Sequence, residues 1–153
     1  GRVARVTIDA VDDAVTGFAE HGNVLRNTVN GLTAQMQNVK DVQARTERET
    51  FLSSAKFVIE SLYSLAVDVS RHMEGELDIR VLRTYQKGDV SAYVRHLVEL
   101  APRMPIDKSQ RKFIEDGEFR TYVLRFIRQY EELLEQAQAN DYGDLLSLVA
   151  SCT

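Results

Sequence analysis

Residues 8–39 read IDAVDDAVTGFAEHGNVLRNTVNGLTAQMQNV, and their spacing decides the fold class. Ile8, Val11, Val15, Phe18, Gly22, Leu25, Val29, Leu32, Met36 and Val39 follow one another at alternating steps of three and four. Such steps average 3.5 residues per turn, the repeat that holds one helical stripe against a partner helix through a left-handed supercoil. Every seam position except Gly22 is apolar, and the flanking Asp9, Asp12, Asp13, Arg26, Asn27, Asn30, Gln35, Gln37 and Lys40 are polar. A helix with one narrow apolar stripe cannot bury it alone, so the pattern calls for a second helix, from another copy or from further along the chain. Gly22 leaves a gap in the stripe. Gly17, Gly22 and Gly31 predict close helix approach or a local bend, with a hinge as the alternative.

Beyond Val39 the register shifts. The next stripe is Phe51, Ala55, Val58, Leu62, Leu65, Val69 and His72, widened by Phe57, Ile59, Tyr63 and Ala66 as in a helix with neighbours on more than one side. No Gly or Pro interrupts residues 32–74, so the pattern predicts a helix that runs through the shift. Gly75 is the expected stop, followed by a helix with the apolar face Leu77, Val81, Leu82 and Tyr85. Lys87-Gly88-Asp89 predicts a tight connection, with Asp89 capping a helix that carries Val90, Tyr93, Val94, Leu97, Val98 and Leu100. Pro102 and Pro105 end that helix in a rigid connector at 102–106. Asp107, with Gln110 three residues on, reads as the cap of a further helix that Gly117 divides or is absorbed into. The stripe Phe119, Val123, Phe126, Ile127, Tyr130, Leu133, Leu134 and Ala137 follows, then Asn140-Asp141 as a stop and a terminal helix at Leu145–Ala150, capped by Asp141 or Asp144.

The expected fold is therefore all-α: a long N-terminal coiled-coil-type helix over residues 1–48 leading into an antiparallel helical bundle over 49–153. Strand signals are missing, and no solenoid period emerges from the resemblance of Val81-Leu82-Arg83 to Val123-Leu124-Arg125.

Composition narrows the function classes. A net charge of −4 gives no general attraction for phosphate backbones, so nucleic acid is not an expected partner. Cys152, the single cysteine, cannot form an intrachain disulfide, which makes a reducing, cytoplasmic setting the expectation. No apolar run reaches the roughly twenty residues that span a bilayer, and no signal peptide is visible. Both ends read as cuts through a longer protein. Residues 77–128 hold eleven Lys and Arg against seven Asp and Glu, whereas 129–153 hold five acids and no base. Arg80, Arg83, Arg95, Arg103, Lys108, Arg111, Lys112, Arg120, Arg125 and Arg128 could form a basic patch for an acidic partner or an anionic membrane surface. The plainer reading is a solvated face paired with the acidic tail.

Catalytic constellations are missing: no Walker loop, Gly-x-Gly-x-x-Gly, His-Glu-x-x-His or Gly-x-Ser-x-Gly occurs. His21, beside Glu20, sits where a phospho-accepting histidine of a dimeric sensor-kinase bundle would sit, but without the surrounding motif. His72 near Glu74 and Glu76, and His96 near Glu99, lack the paired Glu-x-x-His units of a bundle metal site and read as structural histidines. The aromatic run Phe113, Phe119, Tyr122, Phe126 and Tyr130 reads as packed core. No cofactor, metal or catalytic residue is assigned. The sequence thus points to a non-catalytic scaffold, adaptor or localisation module. Its seam (Ile8, Val11, Val15, Phe18, Leu25, Val29, Leu32, Met36, Val39) would join it to another copy, as a dimer, and its bundle would bind another protein. A dimeric signalling module, relaying motion through the register shift, and a peripheral membrane protein are the alternatives.

Overall fold

The computed structural model describes residues 2–139, which form six α-helices and no strand. They are α1 (Arg2–Gln35), α2 (Val42–Glu74), α3 (Ile79–Gln86), α4 (Ala92–Leu100), α5 (Ile106–Glu115) and α6 (Gly117–Ala139), with 3-10 turns at Met36–Asn38 and Ala101–Arg103. None of the described helices is long and apolar enough to cross a membrane. Asn140-Asp141, the terminal helix at 145–150 and Cys152 lie outside the described residues.

The heptad helix ends sooner than its pattern, and the long helix expected through the register shift is two helices. After Gln35 the chain tightens into the 3-10 turn, Val39 becomes extended, and Asp41 takes an extended conformation from which its carboxylate accepts hydrogen bonds from the Gln43 and Ala44 N–H groups. A short acidic side chain that satisfies two open helix donors offers the backbone a good alternative to continuing the preceding helix. The register shift is therefore a turn. It folds α2 back along α1, so that Tyr63 of α2 meets Phe18 and Asn23 of α1, its hydroxyl donating to Asn23 Oδ1 at 3.2 Å.

Helix α6 packs against both, completing a three-helix body; α4 packs on α1 and α2, α5 on α1 and α6, and α3 on α4. Phe18 is the hub. Its ring lies 4.7 Å from Tyr63, 6.1 Å from Phe126 and 6.3 Å from Tyr130, all tilted or edge-on, the favourable geometry for aromatic pairs. Gly17 and the seam glycine Gly22 permit this packing. A Cβ at Gly17 would stand 2.7 Å from the Tyr130 hydroxyl, and one at Gly22 would stand 2.8 Å from the Tyr63 hydroxyl. Helix α1 continues unbroken through both, so close approach is their role in this fold. Gly31 has no neighbour within 4 Å of a would-be Cβ. Gly31→Ala is therefore expected to stabilise the protein by about 1 kcal/mol through helix propensity alone, measurable by denaturant unfolding.

The second stripe is buried from Phe51 to Val69, with His72 half-buried at its end. Phe57, read as part of the widened stripe, instead points outward at 72% exposure, away from the α1, α4 and α6 neighbours of α2. Gly75, at φ +82°, closes α2, and Gly88, at φ +108°, closes the turn after α3. Asp89 caps less directly than its sequence suggests. It accepts from the Ser91 N–H and hydroxyl and pairs with Arg95, and α4 starts at Ala92, leaving Val90 in the turn. Asp107 is not a cap. The Pro105 carbonyl accepts from Lys108 and Ser109, so the helix begins at Ile106 and Asp107 sits inside its first turn, where the helix dipole favours an acid. Asp116 divides α5 from α6: it is extended, and its side chain accepts from the Phe119 N–H.

Three capping or paired carboxylates set the acid response. Asp78 is held below the usual range by the Val81 and Arg80 N–H groups, Asp89 by the Arg95 guanidinium and Ser91, and Asp116 by the Phe119 N–H and Lys112. A carboxyl whose folded pKa is depressed contributes stability above its unfolded value, near 3.8, and loses it as pH falls through the folded value. Helicity followed by circular dichroism should therefore decline as pH falls below about 4, with a flatter profile when all three residues are changed to Asn.

Candidate functional site

The two ends of the α1 seam have different surroundings. Phe18, Leu25 and Val29 are 1–2% exposed, whereas Ile8, Val11 and Val15 are 7–8% exposed. Met36 is buried too, and Leu32 and Val39 are half-buried against the same core. All nine seam residues thus pack into their own chain's core, chiefly against α2, α6, α4 and α5. A second copy seated on this seam would first have to displace those helices.

The difference at the N-terminal end comes from a cavity of about 480 Å³ that Ile8, Val11 and Val15 wall on one side. Val69 and Met73 of α2, Leu97 and Val98 of α4, and Phe119 and Val123 of α6 supply the rest of its floor. The connector between α4 and α5 forms the lip, through Pro102, Met104 and Ile106. The floor is closed, Val123 and Phe119 being almost fully buried, but Asp12, Thr16, Pro102 and Ile106 are exposed at the mouth. The shape follows from local sequence. Pro102 and Pro105 prevent α4 and α5 from joining, and the chain between them stands off from α1 instead of packing onto it.

Asp12 is the one ionisable group on this wall. Partial burial pushes its pKa up, and the neighbouring Asp9 and Asp13 push it further. The mouth is therefore an apolar opening beside three clustered acids on α1. An apolar pocket with few polar groups is the usual form of a binding site. Its chemistry suits an apolar group attached to a cation.

Six of the basic residues line two cavities. Arg80 and Arg95 share a second cavity, of about 450 Å³, with Arg103. Arg111, Lys112 and Lys108 line a shallow groove with Glu115, Asp116 and Glu118. Arg120 donates to the Phe113 and Ile114 carbonyls, closing the C-terminal end of α5. Arg83 ends α3, and Arg125 and Arg128 are exposed along α6. Two of these cations pair with carboxylates, Lys112 with Asp116 at 3.5 Å and Arg95 with Asp89; of the five acids at 129–153, Asp141 and Asp144 lie outside the described residues.

His72 and His96 take partners their sequence neighbourhood did not indicate. His72 lies 3.7 Å from Asp116 and 3.4 Å from Glu118, against the Tyr122 ring. His96 contacts Glu74. His21 turns inward beside α1's buried face, its side chain 14% exposed, with Nε2 3.6 Å from Glu20 and Nδ1 buried without a hydrogen-bond partner.

The cavity itself was not read from the sequence. Its signals were the proline-flanked connector and the acid triplet on the polar side of the seam, and each was interpreted separately. The chain matches no family model, and comparison with curated proteins and with solved structures gave no match.

Proposed function

We infer that this chain is a non-catalytic helical interaction module that receives an amphipathic, basic segment of a partner protein in the cavity between α1 and the α4–α5 connector. The observation that carries this reading is the open, apolar cavity with Asp12 on its α1 wall, where the charges of Asp9 and Asp13 add to that of Asp12. A segment with an apolar anchor and a nearby Lys or Arg satisfies both features. The anchor fills the floor formed by Val69, Leu97 and Phe119, and the cation meets the Asp12 carboxylate at the mouth. The partner is another protein rather than a second copy, because the seam that would join copies is already packed against this chain's own helices. A reducing, cytoplasmic setting fits a chain with a single cysteine.

The raised pKa of Asp12 gives the reading a thermodynamic signature. A carboxyl raised on folding costs stability above its folded pKa, and the cost disappears as protonation relieves it. Asp12→Asn should therefore raise the melting temperature at neutral pH while weakening partner binding, the trade expected of a functional residue.

Fluorescence anisotropy with two labelled amphipathic peptides tests the proposal, one built from leucine and lysine and one from leucine and glutamate. The basic peptide should bind the native chain, bind more weakly as salt rises, and lose binding when Asp12→Lys reverses the mouth or Val98→Trp fills the cavity. Equal binding of both peptides, or indifference to both substitutions, contradicts it.

A further inference from the structure

We propose that Glu74, Asp78 and His96 form a binding site for a divalent transition-metal ion, with Zn2+ as the best-fitting ion, at the junction of α2, α3 and α4. One ligand atom from each of the three residues lies within 4.8 Å of the others. Ligand atoms about 2.0–2.2 Å from a shared Zn2+ stand at most about 4.4 Å apart, so small side-chain rotations close the set. Two carboxylates and one imidazole favour a borderline ion, whereas Mg2+ or Ca2+ would ask for more oxygens.

The backbone prepares this arrangement. Glu74 is the last residue of α2, whose C-terminal carbonyls carry partial negative charge. Gly75, in the left-handed conformation, turns the chain so that Asp78 comes back beside Glu74. One carboxylate oxygen of Asp78 caps α3, accepting from Arg80 and Val81, which fixes the group and leaves its other oxygen for an ion.

A second observation points to a ligand independently of the carboxylates. Tyr93 is fully buried, yet its hydroxyl has no hydrogen-bond partner. Burial raises its pKa, and the charges of Asp78 and Glu74 raise it further. Its ring stands edge-on to His96 at 6.5 Å. A buried donor without a partner costs stability. A ligating carboxylate, or water on the ion, supplies the acceptor, in the manner of outer-shell groups around metals. The cavity shared by Asp78, His96, Arg80, Arg95 and Arg103 adjoins the site and leaves room for water or an anion on the open side of the ion.

Isothermal titration of Zn2+ into the full chain, carrying Cys152→Ser to remove the one thiol, tests this directly. One Zn2+ should bind per chain and raise the melting temperature. Binding should be lost in Asp78→Asn, which keeps a capping oxygen and so the fold, and in His96→Gln. It should weaken about 10–100-fold in Tyr93→Phe. It should persist in His72→Gln, which removes the other histidine beside two carboxylates. Absence of saturable binding overturns the proposal, as does binding that survives Asp78→Asn or His96→Gln in folded protein, or that disappears with His72→Gln. Unchanged affinity in Tyr93→Phe overturns it as well, because the buried hydroxyl then answers to no ion.

Discussion

Phe18→Ala is expected to destabilise the protein by about 3–5 kcal/mol, a large part of the stability of a single domain. The ring is almost completely buried and touches aromatic side chains from both other long helices, Tyr63 on α2 and Phe126 and Tyr130 on α6. Its removal leaves a void that three rigid rings and three helix backbones cannot readily collapse into, so the lost transfer energy and the cavity term add. Denaturant unfolding measures the difference, through a lower midpoint at an unchanged slope. Phe57→Ala is the matched control. It deletes the same atoms from an exposed position and should change stability by no more than about 0.5 kcal/mol. Similar losses from both would mean that α1, α2 and α6 do not meet at Phe18.

Gly22→Val is expected to cost about 1–3 kcal/mol, although it replaces a poor helix former by a better one. A single methyl at this position already stands 2.8 Å from the Tyr63 hydroxyl and 3.2 Å from the Phe18 ring. Tyr63 is held by its bond to Asn23 and by burial, and Phe18 by its aromatic neighbours. The added branches must therefore push α2 away or force Phe18 from its rotamer. Tyr63→Phe should restore part of the loss in the Gly22→Val background, by removing the atom closest to the new group. A stabilised Gly22→Val protein would show that the glycine makes room for nothing.

The helical class, the apolar faces and most helix ends were legible in the sequence because they rest on local signals. Gly75 and Gly88 mark turns that need positive φ, and the two prolines mark the connector. The break at residues 39–41 was less legible. It has no glycine or proline, and Asp41 acts through two backbone donors rather than through a capping box. The 3-4 pattern showed that α1 needs a partner but not which one, since a stripe facing another copy and a stripe facing α2 and α6 have the same spacing. Phe57 was misplaced because the outer limit of a wide stripe depends on how many neighbours surround the helix. The histidine partners were invisible for a different reason: Glu74 and His96 are 22 residues apart, and only the turn at Gly75 and the packing of α4 bring them together. The cavity likewise arises from what the connector does not fill.

The central claim is that the α1 seam is satisfied within one chain, leaving the cavity at its N-terminal end free for another protein. Multi-angle light scattering across the micromolar range, with helicity recorded on the same samples, tests it most directly. A constant mass of 17.4 kDa with full helicity at every concentration is expected. Twice that mass, with helicity lost as dilution separates the copies, would show that the seam is completed between chains and would contradict it.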